Sequence, residues 1–538
     1  MKKRKCIFRK MILMVFAGAL MLSGCDKSGE QVSESENQTE HTTAAETETQ
    51  GMEAETPPSQ DLLSSQEPPA VTVDVCRGEK YAEDGTPLVS GYYEAPNLTG
   101  NTAKENYEAL RAAMVNWALD RDTLFWETME QYEEYAQDQL TTMGAESFIA
   151  YSTDMKLEYT RVDSAIVSFR EWYRDYTGGV HGNYGYSGVT FDAVSGELLT
   201  LADLMTNEAA MEKFCEMAAD YCVENVQEQD LENLSDNYEA VIREKFSPGH
   251  ETDNWYLDAA GITIVCNPYE IGPYAMGPVF ITLPYEDMKE LLKPQYQILP
   301  ESGTAMLTPG VEALLPLSGQ DKTIPVKLAL IKSQEEEMFP TLSLTAGELT
   351  AELETLEYVG CAYVIRRANG RMFLLFDIDI ASDDYVTLMY ELTPEELRKT
   401  AELYESSIDQ GNVNVDSLKL IQRIDILGSY SVEADYRIET DGALTLESDW
   451  FGIVSNSYQP TITAVREVPV VIDGEDALLP VGSRLQLLGT DKVSIIRFRE
   501  LNSGTEGEIH FNRNEEKWAI YIDGIEEFEY FENLPYAG

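Results

Sequence analysis

Near residue 298 the hydrophobic pattern of this chain changes period. Before it, ENYEALRAAMVNWALDRDTLFWETMEQYEEYAQDQL repeats apolar residues at intervals of three and four, which predicts a long helix. A strand, VTVDV, precedes that helix. MKLEYTRV and SAIVSFREWY follow it as alternating segments parted by Asp163, the pattern of two strands and a tight turn. The glycine-rich loop GGVHGN comes next, Ser195-Gly196 marks another turn, and helices are expected near 206–227 and 234–245. WYLDAAGITIVCNPYEIGPYAMGPVFITLPYEDMKELL then reads as strand, turn, strand, loop, strand and helix. Beyond 298, strands with polar turns take over: Asn369-Gly370 predicts a hairpin, and Thr393-Pro394-Glu395-Glu396 carries the cap, proline and glutamate of a short helix start. The expected fold class is α+β, a mixed sheet with helices over 71–297, followed by β-rich segments over 298–465 and 466–538.

The chain begins with a basic stretch, MKKRKCIFRK, and a twelve-residue apolar run, too short to span a bilayer as a mature helix. It reads as an export signal over 1–24. Leu22-Ser23-Gly24-Cys25 resembles the lipobox of bacterial lipoproteins, which implies lipidation of Cys25 and a place on the extracytoplasmic face of the membrane. Residues 25–70 are acidic, rich in Ser and Thr and nearly free of large apolar side chains, so they are expected to form a disordered tether, with His41 a solvated bystander. Its root-mean-square span would be on the order of 40 Å. The whole chain carries a net charge of −56, and loss of the six basic residues of 1–24 takes it to about −62. Nucleic acid and anionic lipid headgroups are poor partners for such a surface, cationic proteins good ones; solubility alone is the plainer use of the same charge.

Little of the chain reads as catalytic or metal-binding. Cys76, Cys215, Cys222, Cys266 and Cys361 are scattered without paired spacing, and Cys215 and Cys222, seven apart in a helical pattern, would be roughly 10 Å apart. Buried thiols are the expectation, with Cys266 a strand-end core residue. His181 has no neighbour in sequence to share a metal with, since His41, His250 and His510 lie far away. Asp377, Asp379, Asp383 and Asp384 lack the glycine and distal glutamate of an EF-hand, and alternation predicts a solvated strand edge there. No cofactor is implied.

Two motifs remain, YTGGVHGNYGYSGVTFDAVSGELLTLADLM and CNPYEIGPYAMGPVFITLPYEDMKELL. Gly178, Gly179 and Gly182 permit positive φ and close backbone approach, so His181 and Asn183 can bond within a compact loop. The second motif sets tyrosines beside prolines, and a cis bond at Pro268 or Pro273 is left open by sequence. Tyrosines there serve either as interface anchors or as self-packed side chains.

Together the motifs resemble the extracytoplasmic domain of RsiV-like anti-sigma factors, found also ahead of the catalytic part of PdaC-type peptidoglycan deacetylases. The resemblance spans 71–297 only. It implies a binding module, not a catalyst, with lysozyme or a peptidoglycan fragment as ligand. His181, Asn183, Tyr184, Tyr269, Glu270 and Tyr274 are the candidate contacts. The chain departs from the anti-sigma pattern in having no cytoplasmic segment ahead of its apolar run. A PdaC-type metal site would need paired histidines, yet only His510 follows residue 297. A wall hydrolase working through carboxylates of the C-terminal half, and a solute-binding or structural lipoprotein, are the alternatives. The last segment resembles a small SH3-like barrel.

Overall fold

The computed structural model describes residues 66–538 apart from 101–105, 230, 232, 248–253, 298, 318–321, 332–339, 355–357, 381–384, 458, 515, 517–518, 533 and 537–538. The export signal, Cys25, the tether up to 65, His41, His250, Asp383 and Asp384 lie outside the described residues. The chain is mixed and sheet-rich, with 50% strand and 19% helix.

A hairpin of β1 (Ala70–Tyr81) and β2 (Pro87–Thr99) opens the fold, and α1 (Glu108–Met143) carries the chain back so that β3 (Tyr151–Asp163) pairs parallel to β2. Parallel pairing demands such a crossover. The apolar stripe of α1 faces the sheet: Leu110, Met114 and Tyr107 are buried with Leu157, Tyr159, Val167 and Phe169, and the Trp117 ring meets Phe169 edge-on at 5.2 Å. At the expected turn, Asp163 Oδ1 accepts the amides of Ala165 and Ile166, while its Oδ2 holds Arg161 at 2.7 Å. β4 (Ile166–Tyr176) and β5 (Asn183–Asp192) then extend the sheet antiparallel.

A helical layer follows: α2 (Leu201–Leu204), α3 (Glu208–Glu228) and α4 (Tyr238–Lys245). Thr200 and Asp203 close a capping box on α2, and Asn207 caps α3 through the amide of Ala210. These helices cover a three-stranded sheet of β6 (Trp255–Leu257), β7 (Gly261–Cys266) and β8 (Val279–Pro284), which α5 (Tyr285–Met288) follows. Phe214, Ala218, Cys222, Ile264, Cys266 and Ile281 share the core between them. Cys266 therefore ends a strand in the core, and Cys222 lies in the helix as the spacing requires.

The main sheet does not stop at 297/298. The four-residue strand β9 (Gly303–Met306) pairs with the end of β3, beyond the reach of β2, and then with β14 (Tyr358–Arg366). β10 (Glu312–Pro316), β11 (Thr323–Ile331), β12 (Thr341–Ala346) and β13 (Leu349–Glu354) form a separate antiparallel sheet. β15 (Met372–Asp379), β16 (Tyr385–Leu392) and β17 (Leu397–Tyr404) complete the ten-stranded one. A twelve-stranded sheet begins with β18 (Ser406–Val413), β19 (Ser417–Asp425) and β20 (Ser429–Ile438). It continues through 465/466, where the strand Thr461–Ala464 pairs with both Arg484–Thr490 and Phe531–Glu532. All described residues fall in one compact unit. The Asn414 amide bonds both backbone groups of Val71, and Arg77 donates to the carbonyls of Ser455 and Ser457.

Two local expectations are overturned. Thr393-Pro394-Glu395-Glu396 starts no helix: Thr393 Oγ1 does accept the Glu396 amide at 2.9 Å, but the chain then runs extended as β17 beside β16. Asp377 is not on a solvated edge. It is 3% exposed, and its carboxylate accepts the amides of Cys361 at 2.7 Å and Ile408 at 3.0 Å. The Asn369-Gly370 hairpin forms between β14 and β15, Gly370 taking φ 83°.

Candidate ligand-contact site

The first loop is built on the end of the β4–β5 hairpin, where Asp175 faces Asn183 across the pair. Gly178 and Gly179 take φ of 95° and 92°, and a side chain on Gly182 would come within 2.4 Å of the Asp175 carbonyl. Only glycine fits this fold-back. It leaves Val180 fully exposed and turns His181 outward, with Nδ1 donating to the Gly182 carbonyl at 3.0 Å.

The second loop is fastened to the first by Asn267. Its Oδ1 accepts the Tyr186 amide at 2.8 Å and its Nδ2 donates to the Tyr186 carbonyl at 2.9 Å, so one side chain acts as the missing strand partner at the edge of β5. Gly185 makes room: a Cβ there would lie 3.1 Å from the Asn267 amide carbon and 2.4 Å from the Tyr173 hydroxyl. Beyond Asn267 the chain turns through Tyr269, whose φ is 72°, then through Pro273 into a single 3-10 turn, Tyr274–Met276. Every described peptide bond is trans, those at Pro268 and Pro273 included.

This folding brings four of the six expected residues into one ring cluster. His181 lies on Tyr274 at 4.0 Å and 17°; Tyr184 meets Tyr274 at 5.3 Å and 89°; Tyr269 lies 5.7 Å from Tyr274 at 40°. Tyr269 is 60% exposed, while Tyr184 and Tyr274 are partly buried. Burial, and then the nearby Tyr274 hydroxyl, raise the Tyr184 pKa. The other two stand apart from the rings. Asn183 is exposed at the first position of β5, and Glu270 turns to Lys245 at the end of α4, at 2.6 Å.

Three residues that sequence reasoning passed over shape the site. Asn267 lies within the second motif, but its pinning role depends on Tyr186 of β5, which is distant in sequence. Lys245 carried the signal of a basic residue in the last turn of a helix. Arg170 packs on Tyr186, the residue that Asn267 holds, its guanidinium about equally far from Tyr186 (5.0 Å) and Phe280 (5.1 Å) and paired with Glu158 at 2.6 Å. Burial opposes the Arg170 charge, but Glu158 and the tyrosine hydroxyls outweigh it and hold the group protonated.

Among the described residues, the hydrogen bond of the His181 ring goes to a backbone carbonyl, that of Gly182. Among the described residues no three His, Cys, Asp or Glu side chains converge as a metal site. No described helix is long and apolar enough to cross a membrane. Exposed rings at fixed angles are suited to contact.

Residues 202–286 match a family described as "Protein of unknown function (DUF3298)". The matched stretch takes in α2–α4, β6–β8 and the second loop, but not the first. No curated protein matches the chain. Two solved structures are similar. A DUF3298 family member from Bacteroides fragilis is 21% identical, with 43% of this chain and 96% of that one covered and a TM-score of 0.33. A DUF3298 family protein from Pseudomonas aeruginosa is 16% identical, with 43% and 98% covered and a TM-score of 0.28. Residues 202–286 are thus the part of the chain that a family description covers, and that family is one of unknown function.

Proposed function

We propose that this protein is a membrane-anchored, extracytoplasmic binding lipoprotein, tethered through Cys25, whose two joined loops recognise a basic wall-directed protein such as lysozyme. The observation that carries the reading is Tyr269. A bulky residue at positive φ is an outlier and costs about 1–2 kcal/mol over glycine. The ring is 60% exposed, so core packing does not account for its presence. A strained, exposed aromatic packed on Tyr274, the centre of the ring cluster, fits a ligand contact.

The RsiV-like motifs and the charge support the same choice, because a surface this acidic speeds encounter with a cationic partner. Binding would protect the wall by sequestration or serve sensing. Against a carboxylate hydrolase stand acids of the C-terminal half that are already committed: buried Asp377 to two amides, buried Glu391 to Arg371 and Arg398, and half-buried Glu433 to Lys419. The test is binding of the exported chain to a C-type lysozyme and to an equally basic unrelated protein, at low and moderate salt. Lysozyme-selective binding that survives salt supports the reading. Equal binding that salt erases for both contradicts it and points to peptidoglycan fragments instead.

A further inference from the structure

We propose, building on the binding reading above, that the ring cluster is a cation-accepting box, and that the group it takes is a lysine or arginine side chain of the partner seated against Tyr269. The open ring face argues for it. Tyr184 and Tyr269 pack against Tyr274 at 89° and 40°, and Tyr269 is the one of the three that stays exposed. A lysine or arginine head group is drawn to a ring face within about 6 Å, and a chain this acidic favours it over an uncharged sugar.

His181 already lies against Tyr274, which leaves Tyr269 as the exposed wall. Elsewhere the chain seats its own cations on its rings: Arg170 over Tyr186, Tyr256 and Phe280, Arg121 over Trp117, Arg497 over Trp450. Among the described residues none sits over Tyr184, Tyr269 or Tyr274. Lys245, the cation tied to this loop, is held by Glu270. The box faces a partner-supplied charge, and the net charge of −56 selects for one.

The experiment titrates the full exported chain with a C-type lysozyme, an unrelated basic protein and soluble peptidoglycan chains at moderate salt. Wild type is compared with Tyr269→Phe and Tyr269→Leu, and with Tyr184→Leu as a second wall variant, each checked for an unchanged melting temperature. Tyr269→Phe keeps the ring face and is expected within about twofold of wild type; loss of the face in Tyr269→Leu is expected to weaken protein binding roughly tenfold. Tyr269→Leu and Tyr184→Leu binding as tightly as wild type would overturn the box while leaving lysozyme recognition intact. Equal binding of both basic proteins, weakened alike by Tyr269→Leu, would sustain the box and remove lysozyme as its special partner. Tyr269-dependent binding of peptidoglycan chains alone would reassign the rings to sugar and overturn the proposal.

Discussion

Asn267 and Tyr186 are joined by two hydrogen bonds, from Oδ1 to the amide and from Nδ2 to the carbonyl, which fasten one loop of the site to the strand that carries the other. Asn267→Leu would remove two hydrogen bonds at once. The expected loss is about 1–3 kcal/mol in denaturant unfolding, since each such bond contributes about 0.5–1.5 kcal/mol. Lysozyme binding should fall with it even where the chain remains folded. Unchanged stability would show that the pin is redundant.

Glu94 gives the pH dependence. On β2 and 2% exposed, it accepts the Leu157 amide and the Asn456 side-chain amide, with Lys156 and Asp409 also facing it. Burial, then the Asp409 charge, push its carboxyl up to about 7, although Lys156 and both hydrogen bonds pull the other way. The folded chain therefore holds this proton more tightly than the unfolded chain. The stabilisation is complete below the ordinary value of 4.5 and is lost as pH rises through about 7. Glu94→Gln should gain on wild type by up to roughly 3 kcal/mol between pH 4.5 and 8. Urea unfolding at both pH values checks this, and a pH-independent difference would contradict it.

Asp377 fastens the backbone at Cys361 and Ile408. Asp377→Ala removes the acceptor of two buried amides and should cost about 2–4 kcal/mol. A chelator should leave the melting temperature of the wild-type chain unchanged. A fall on chelation would reinstate a metal at the acidic stretch.

The thiols should react in an order set by burial. Cys76, Cys222, Cys266 and Cys361 are buried, and Cys215 is partly exposed. Burial raises the pKa of Cys215, of Cys222 and, up to about 12, of Cys266. A thiol reagent at pH 8 is expected to label Cys215 first, slowly, and the rest only on unfolding. Rapid labelling of Cys266 would show that the second loop opens.

Much of the fold is legible where local pattern and tertiary need agree. The period of α1, the Asp163 turn and the Asn369-Gly370 hairpin are of this kind. Asp377 shows where legibility ends: alternation predicts one wet face, yet β15 is covered on both, with Phe373 and Leu375 in one core and Leu374, Phe376 and Ile378 in another. Thr393 makes the hydrogen bond of a helix cap, and the open edge of β16 then draws LRKTAELY into a strand. β9 is four residues long, with no signal of its own; a shared edge of β3 creates it. At the site, both motifs and the ring residues were legible. The Asn267 pin and the diversion of Glu270 to Lys245 were not, because each depends on a neighbour distant in sequence.

The most direct measurement is Tyr269→Gly, read for stability and for lysozyme binding together. Glycine accepts φ 72° without strain, so the melting temperature should be unchanged or raised, while selective binding at moderate salt falls about tenfold or more. A variant that melts lower yet binds lysozyme as tightly as wild type would contradict the account, making Tyr269 a packing residue and the ring cluster no ligand site.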